Sequence, residues 1–564
     1  MPADLLIRGG TVVDGTGFPG YRADVEVRDG RISRIGRISE RAVRTIDADG
    51  LVVSPGFIDI HTHYEAQLQF EPTASPSSWH GVTTVMTGNC GFTLAPSRPE
   101  DMSWLIHMLS RVEGMPLEAL LASVTFGGGS VASLLAGFDG NLGINMAVFA
   151  GHCSIRRAVM GEAASERTAT PEEIAAMAAL LRQAMHDGAI GFSTSQLDIH
   201  ADHNGRPVPS NLADHDELIG LAAVLGEFDQ GMLEFLPRSG SEGYSAADRQ
   251  VMLGMCAASA KPMNVNPLTR FLNAPDAWRH SLAFCEEAAR MGYRIHPMVT
   301  VNPKGIHFAL ENTFMFDEMA TFRHVLSRPL GERMAALRDP SVRAAMHQEY
   351  EGASRAFVFS WDQVRVAAAA RPDHAAWEGQ AVSALAATDG VDPLDWVIDS
   401  SLQEGLETVF ALERPTDPLV TETTNALIRN PLTMAGSSDG GAHLQTFCGA
   451  DYTTRFLTEP VPEVLSLEQA VSRLTLQPAV LHGLWDRGML RPGAVADILT
   501  FDPGALAVTP VRFVRDFPTG ASRLVFGSEG YHTTVVNGEV LLEEGAHTGA
   551  LPGVVIRGNG AHAA

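Results

Sequence analysis

Basic residues are scarce in this chain of 564 residues. Lysine and arginine together number 41 against 66 aspartates and glutamates, and the formal net charge is -25. Lysine itself occurs only as Lys261 and Lys304. Nucleic-acid binding requires a basic surface that takes the place of the counterions around the phosphates. The charge balance therefore excludes nucleic acid as an expected partner.

Cysteine is also rare and is not arranged in pairs. An odd, scattered set without a CxxC motif argues against a disulfide framework and predicts reduced thiols in a cytoplasmic protein. The first ten residues, MPADLLIRGG, lack a basic stretch followed by an apolar segment, so we expect no secretory signal. The cysteines are Cys90, Cys153, Cys256, Cys285 and Cys448.

Long apolar runs and several familiar catalytic motifs are missing as well. No run of about twenty apolar residues indicates a membrane span. The sequence has no GxSxG elbow, no GxxxxGK(S/T) phosphate loop and no GxGxxG after a strand, which excludes the chemistry of those motifs. A hydrophobic content of 45% and a charged content of 19% are instead typical of a globular enzyme with a large core. The length predicts one large catalytic body with an accessory part.

The most informative motif that is present is His61-Thr62-His63, directly after the apolar run 57–60. The run is typical of a short buried strand. Residues two apart in a strand point to the same side, so His61 and His63 should project together from the strand end. Two neutral imidazoles in that arrangement suit one divalent metal ion such as zinc.

Strands and helical segments alternate between two β-rich ends of the chain, as a (β/α)8 barrel requires. The segment PEEIAAMAALLRQAMHDG is predicted to be an intervening helix that Thr170 caps and Gly188 ends. The segment from about 305 to 400 is predicted to be a mainly helical insertion over the barrel mouth. The candidate barrel strands are 57–60, 83–87, 145–151, 188–193, 231–235, 262–266, 294–299 and 432–438.

Two further polar motifs follow candidate strands, at the ends where barrel enzymes carry catalytic residues. Cys90 lies in Gly-Asn-Cys-Gly after the second strand, and Asp439 lies in Ser-Ser-Asp-Gly-Gly after the eighth. A thiolate can bind zinc, and a carboxylate beside a cation can take a proton from water. The alternatives are a buried unreactive thiol for Cys90 and an Asx-turn aspartate for Asp439.

These motifs carry a resemblance to a known family. PGFIDIHTHYEAQ resembles the first barrel strand of the amidohydrolase superfamily of metal-dependent hydrolases, and GSSDGGAHL resembles its last-strand aspartate motif. SSWHGVTTVMTGNCGF is similar to the D-aminoacylase, or N-acyl-D-amino-acid deacylase, branch. DLLIRGGTVVDGTG, GMLRPGAVADILTFDP and TTVVNGEVLLEEG also match, so the resemblance spans nearly the whole chain and is weakest between about 310 and 420.

The resemblance implies an α/β fold with a (β/α)8 TIM-type barrel and a small β-sandwich domain built from both termini. Residues 1–55 and 489–564 would form the sandwich, and residues 56–488 would form the barrel with its helical insertion. It also implies that His61, His63 and Cys90 bind metal. Asp439 would contact the metal, act as general base on water and later protonate the leaving amine.

The chain also departs from the family pattern. D-aminoacylases carry a histidine after strand five and a Ser-His pair before a lysine after strand six, whereas this chain has Glu234-Phe-Leu-Pro-Arg238 and Asn264-Val-Asn266. The strand-four segment 188–195 lacks the lysine that bridges two metals in many amidohydrolases. We therefore expect one tightly bound zinc ion and a doubtful second ion. Glu234 is a candidate ligand and Asn266 a candidate substrate contact, although each could be structural.

Histidines elsewhere are weaker candidates. We expect His296 to lie at the end of the seventh strand and to contact substrate or metal, and His443 to contact substrate. His152 is expected near the site without an assigned role. His200 and His203 lie in a polar loop and are predicted to be solvated.

The leading hypothesis is a metal-dependent hydrolase of a non-peptide C–N bond, such as the linear amide of an N-acyl (D-)amino acid. Its partner would be that small-molecule amide, with no nucleic acid and no membrane, and homo-oligomer formation stays open. The alternatives are a cyclic amide hydrolase, as in hydantoinases, and a non-catalytic scaffold of the same fold. The missing histidines favour the scaffold, whereas the three retained motifs count against it.

Overall fold

The computed structural model describes residues 2–240, 242–271, 274–301, 305–311, 313, 315–352, 359–412, 418–447 and 449–558. The chain begins with five short strands that alternate with glycine- and aspartate-containing turns, as the sequence predicts. They are β1 (Ala3–Val12), β2 (Tyr21–Arg28), β3 (Arg31–Gly36), β4 (Ala42–Asp47) and β5 (Val52–Pro55).

The next part of the chain alternates strands with helices. Its strands are β6 (Phe57–Asp59), β7 (Val82–Thr87), β8 (Asn145–Val148), β9 (Ala150–Gly151), β10 (Gly191–Ser195), β11 (Met232–Leu236), β12 (Met263–Leu268) and β13 (Ile295–Thr300). Its helices are α1 (Met102–Val112), α2 (Leu117–Ser123), α3 (Val131–Ala136), α4 (His152–Met160), α5 (Pro171–His186), α6 (His215–Val224), α7 (Ala246–Ser259) and α8 (Ala277–Arg290).

Helix α5 shows why these segments form where the sequence indicates. The Thr170 hydroxyl accepts a hydrogen bond from the backbone of Glu173, and the Glu173 side chain accepts one from Thr170. This reciprocal pair satisfies two backbone donors at the helix start, and Pro171 occupies the first turn where no donor is needed. The predicted helix and its cap are confirmed.

The segment after β13 is mainly helical, as the sequence predicts, and it also contains three short strands that the sequence analysis did not predict. Its strands form a three-stranded antiparallel sheet in the order Ile306–Phe308, Val409–Leu412 and Val364–Ala368. Phe308, Phe316 and Phe410 pack in a hydrophobic cluster within this segment. The elements are β14 (Ile306–Phe308), α9 (Ala320–Leu326), α10 (Leu330–Arg338), α11 (Pro340–Gly352), β15 (Val364–Ala368), α12 (Val382–Asp389), α13 (Pro393–Gln403) and β16 (Val409–Leu412).

The last quarter of the chain begins with helices and one strand and continues with short strands. The first group is α14 (Pro418–Arg429), β17 (Met434–Gly436), α15 (Tyr452–Thr458), α16 (Leu467–Leu474) and α17 (Leu476–Leu481). The second group is β18 (Ile498–Phe501), β19 (Ala507–Val508), β20 (Arg512–Val514), β21 (Arg523–Val525), β22 (Ser528–Glu529), β23 (Tyr531–Val536), β24 (Glu539–Glu543) and β25 (Ala546–His547).

The strands of the central part pair in parallel. One sheet has the order β6-β7-β8 and a second has the order β17-β13-β12-β11-β10-β9. Side chains such as Ile58, Met86, Met232 and Met298 pack in one hydrophobic cluster shared by both sheets. Because parallel strands end at the same edge of a sheet, the polar motifs that follow them are brought to one side.

The two ends of the chain form one mixed sheet of nine strands. Its order is β25-β24-β23-β18-β5-β1-β2-β3, with β4 beside β1, so strands from the amino-terminal and carboxyl-terminal parts meet at the pair β5–β18. Leu5, Val53, Ile498 and Val535 pack in its hydrophobic cluster. Among the described residues no helix combines the length and the hydropathy needed to cross a membrane.

Asp497 connects this mixed sheet to the central part of the molecule. Its carboxylate accepts hydrogen bonds from Arg487 at 2.9 Å, from the Asn145 side chain at 3.0 Å and from the Asn537 backbone at 2.9 Å. Asn145 begins β8, and Asn537 lies between β23 and β24. Burial raises the pKa of Asp497 above its usual value, so these three donors are needed to hold the charge.

We expect Asp497→Ala to lower the free energy of unfolding by about 3–5 kcal/mol, because it removes the buried carboxylate of the Arg487 ion pair and leaves only the partly exposed Asp486 beside that charge. Denaturant unfolding measures this. The matched control is Glu227→Ala, which removes an exposed ion pair with Arg182 at 2.6 Å and should cost less than about 1 kcal/mol. Equal losses in the two variants would contradict a structural role for the buried pair.

Candidate metal centre

The loop that follows β6 meets the loop that follows β17. The Asp439 N–H donates to the His61 carbonyl at 3.2 Å, and the His63 N–H donates to the Gly440 carbonyl at 2.7 Å. Thr62 and Gly440 form a parallel bridge between the same two loops. These backbone bonds bring the first and the last parallel strands together and place both predicted motifs side by side.

The loop after β17 adopts a backbone that side chains usually avoid. Ser437, Asp439 and His443 have φ values of 67°, 50° and 52°, in the left-handed region. Glycine is required at the neighbouring positions. A Cβ at Gly440 would lie 2.7 Å from the Tyr64 ring, and one at Gly441 would lie 2.7 Å from the His63 carbonyl. The close approach and the strained turn together aim Asp439 at His61.

The Gly-Asn-Cys-Gly motif forms a comparable turn after β7. Gly88 and Gly91 have φ values of 78° and 80°, and Cys90 itself lies at 56°. The turn directs the Cys90 sulfur towards His61, with 3.4 Å between Sγ and Nε2. Cys90 is 6% exposed, and burial raises the pKa of its thiol well above the usual value. A nearby cation is what would stabilise the thiolate here.

One donor atom from each of His61, His63 and Cys90 lies within 4.8 Å of the others. Asp439 Oδ1 lies 3.3 Å from His61 Nε2. Two ligands at zinc distances of about 2.0 and 2.3 Å in a tetrahedron are about 3.5 Å apart, which matches the sulfur–nitrogen distance at Cys90. Burial lowers the pKa of His63, which favours the neutral imidazole that binds metals. The residues fit a divalent ion such as zinc.

Glu234 lies against this cluster from β11. One carboxylate oxygen accepts the Cys90 backbone N–H at 2.8 Å, and the other lies 3.7 Å from His61 Nδ1. Burial raises the pKa of Glu234 to about 8. Ligation by Glu234 stays a prediction, since its carboxylate faces Nδ1 of His61, whereas Cys90 and Asp439 face Nε2 of the same ring.

The two asparagines of β12 are both buried. Asn264 pairs in register with Glu234, and neither polar atom of its side chain has a hydrogen-bond partner among the described residues. Asn266 lies two residues nearer the carboxyl end of β12, and its Oδ1 likewise has no such partner in the described parts of the chain. Sequence reasoning singled out Asn266 and gave Asn264 no role, although an amide buried without a partner is uncommon.

His296 is not where the sequence placed it. The expectation that it lies at the end of its strand is wrong, because it is the second residue of β13, and its Nδ1 bonds to the Leu432 carbonyl at 2.9 Å just before β17 begins. Met298 follows it on the same face, towards the carboxyl end of the strand. This position, near the amino end of β13, argues against the expected contact of His296 with substrate or metal.

His443, by contrast, lies beside the cluster and faces a carboxylate that sequence reasoning missed. Its Nε2 is 3.6 Å from Glu113 Oε2, and Glu113 Oε1 is 3.6 Å from His63 Nδ1. Glu113 follows α1 in a loop, where hydrophobic periodicity gives no indication of its neighbours.

The prediction that His200 is solvated is wrong. His200 is half-buried against the Phe92 ring, with ring centroids 5.2 Å apart, and its Nδ1 bonds to the Ser195 hydroxyl at 3.1 Å. Burial lowers its pKa to about 3. The charge of His443 also lowers this pKa, whereas the Asp439 carboxylate raises it.

His152 and Cys448 complete the predicted set. His152 lies in a buried network, where its two ring nitrogens contact Glu217 and Thr194 at 2.8 Å. The cysteines of the described residues are free thiols, and Cys448 lies outside the described residues.

Comparisons with known proteins agree with this geometry. A model described as the amidohydrolase family matches residues 44–542. The chain is 43% identical over 196 residues to a D-aminoacylase of Alcaligenes xylosoxydans xylosoxydans, a match that covers 34% of this chain and 38% of that protein.

Two solved structures resemble the whole chain, each at 26% identity and each covering 99% of this chain and 100% of the other. One is N-acyl-D-glutamate deacylase from Bordetella bronchiseptica, complexed with zinc and a phosphonate inhibitor that mimics the tetrahedral intermediate, with a TM-score of 0.69. The other is a D-aminoacylase described by its binuclear metal centre, with one-metal activation and second-metal attenuation, with a TM-score of 0.67.

We expect Cys90→Ser to weaken zinc binding by more than about tenfold, because a hydroxyl is a poorer ligand than a thiolate. Loss of a residue that only hydrogen-bonds to a metal ligand already weakens metal binding by about tenfold or more. Chelator competition measures the affinity. The matched controls are Cys153→Ser, which removes a buried thiol that bonds to the Ser210 hydroxyl at 3.3 Å, and Cys285→Ser. Zinc affinity in Cys90→Ser equal to that of the controls would remove Cys90 from the ligand set.

Proposed function

This chain belongs to the amidohydrolase family, and from that premise we propose that it hydrolyses the linear amide bond of an N-acyl amino acid with the help of a bound metal ion. The observation that carries the proposal is the convergence of His61, His63, Cys90 and Asp439 at one edge of the parallel strands. A scaffold has no physical need of these four side chains in contact.

His61, His63 and Cys90 would hold one tightly bound zinc ion, with Asp439 and Glu234 near these ligands. The ion supplies Lewis-acid chemistry, which polarises the scissile carbonyl and makes water a better nucleophile. Asp439 accepts the proton from the attacking water and then delivers it to the nitrogen of the leaving amine. His443 and Asn266 are the substrate contacts of this proposal, and Asn264 adds a buried amide below them.

The choice of substrate rests on the relatives. The D-aminoacylase and the N-acyl-D-glutamate deacylase named above support an N-acyl-D-amino acid as the substrate class. A D-aminoacylase structure described by activation with one metal supports a single tight ion. A cyclic amide is the weaker candidate, because segment 188–195 has no lysine of the kind that bridges two metals in many amidohydrolases.

The same proposal extends to the architecture. The eight parallel strand positions form a (β/α)8 barrel of residues 56–488, in which β8 and β9 together make the third strand. The nine-stranded sheet belongs to a β-sandwich domain of residues 1–55 and 489–564. The segment from about 305 to 400 covers the barrel mouth. The bridge between Thr62 and Gly440 supports closure, because it joins the first and last parallel strands.

The test is a hydrolysis screen of N-acyl-D-amino acids, N-acyl-L-amino acids and cyclic amides, with elemental analysis of the same preparation. We expect turnover of a linear N-acyl-D-amino acid and about one zinc ion per chain, since one set of soft and imidazole ligands is present. Chelation should abolish turnover and added zinc should restore it. Activity that survives complete metal removal, or protein that binds no metal, would overturn the proposal.

We expect Asp439→Asn to lower the turnover rate by about 10²–10⁴-fold, because an amide cannot take or deliver the proton. Asparagine tolerates the left-handed backbone that Asp439 adopts, so the fold should persist. Zinc content should persist as well, because His61, His63 and Cys90 remain. A melting curve and a metal assay accompany the rate measurement, and near-normal turnover in folded, zinc-loaded Asp439→Asn would refute the proton-transfer role.

A further inference from the structure

Glu113 lies between the two loops that build the candidate metal centre. It follows α1 directly, and its side chain is 3% exposed. Oε1 lies 3.6 Å from His63 Nδ1, on the loop after β6, and Oε2 lies 3.6 Å from His443 Nε2, on the loop after β17. One buried carboxylate therefore faces two imidazoles that are far apart in sequence.

The chain around Glu113 is anchored on both sides. The Glu113 N–H donates to the Leu109 carbonyl at 2.9 Å, and the Glu113 carbonyl accepts the His443 N–H. Arg111, two residues earlier, donates to the Thr313 carbonyl at 2.8 Å and forms a buried ion pair with Asp317. The backbone that carries the Glu113 carboxylate is thus held in place by its own hydrogen bonds and by the nearby Arg111–Asp317 ion pair.

A carboxylate at this depth is stabilised by N–H groups that face it, because burial of an uncompensated charge is unfavourable. A neutral imidazole carries one N–H and one lone pair on opposite sides of the ring. His63 Nδ1 and Glu113 Oε1 are 3.6 Å apart, which is an electrostatic contact and not a hydrogen bond. The negative carboxylate favours the N–H on the nitrogen that faces it, and the lone pair of the ring is then on Nε2. Metal-binding histidines commonly direct their second nitrogen to a carboxylate in this way.

We propose that Glu113 is a positioning residue that holds His63 in the tautomer and orientation in which Nε2 binds the metal ion. The same carboxylate also faces the ring of His443, on the loop that carries Asp439, but the metal affinity is set through His63. This inference rests on the proposed function, because it takes His63 as a metal ligand. The effect is exerted through His63, and Glu113 itself does not touch the reacting atoms.

The first measurement is the affinity for Zn²⁺ alone, by chelator competition, in the full-length protein and in Glu113→Gln. The amide has nearly the same shape but lacks the charge, and we expect about 10–100-fold weaker zinc binding. The matched control is Glu404→Gln, which alters another buried carboxylate–histidine contact, 2.9 Å from His374 Nδ1, and should leave zinc affinity unchanged. Unchanged affinity in Glu113→Gln overturns the proposal.

A second measurement tests whether Glu113 acts through His63. In a His63→Asn background the ring is absent, so Glu113→Gln should weaken zinc binding no further. An equal loss with and without His63 overturns the positioning role. Should Glu113→Gln fail to fold, the cycle is run with Glu113→Asp, whose shorter side chain withdraws the carboxylate from both rings, and wild-type zinc affinity in that variant also overturns the proposal. Wild-type protein that binds no zinc refutes the proposed function itself, so the two failures are distinguishable.

Discussion

The candidate site depends on backbone hydrogen bonds between two loops that lie far apart in sequence. Asp439 bonds to the His61 carbonyl and His63 bonds to the Gly440 carbonyl, so the loop after the first parallel strand is held against the loop after the last. Neither loop supplies all the side chains of the site. His61 and His63 come from the first loop, and Asp439 and His443 come from the second. The glycines at 440 and 441 are the condition for this approach, since a side chain there would meet Tyr64 or the His63 carbonyl.

Much of this arrangement is predictable from the sequence, because it depends on strand periodicity and on one geometric rule. The structure has strands that match the candidate strands to within a few residues, and donors that follow parallel strands meet at one edge. His61, His63 and Cys90 obey that rule. Glu113 and His200 do not, because they lie in loops whose course is set by packing against the rest of the protein. The strands within the segment 306–412 were hidden in the same way, by a composition that favours helices.

His296 shows the limit of the rule. Only the carboxyl end of a strand lies at the site, and each residue advances about 3.3 Å along it. The second and last residues of β13 are thus more than about 10 Å apart. Sequence patterns locate a strand more securely than they locate its ends. A histidine can therefore be assigned to the correct strand and still to the wrong end of it. Its bond to the Leu432 carbonyl then satisfies the polar group in a structural role.

The departures from the family pattern change the electrostatics of the centre. Where the D-aminoacylase pattern has a histidine, this chain carries Glu234, next to Cys90 and the Asp439 carboxylate. Three acidic groups buried this close cannot all be ionised without a cation, because like charges and burial both favour the protonated forms. Burial and the neighbouring acidic groups accordingly raise the pKa values of Glu234 and Cys90 when no metal ion is bound. A bound divalent cation would stabilise the ionised forms, and its binding would then be coupled to proton release.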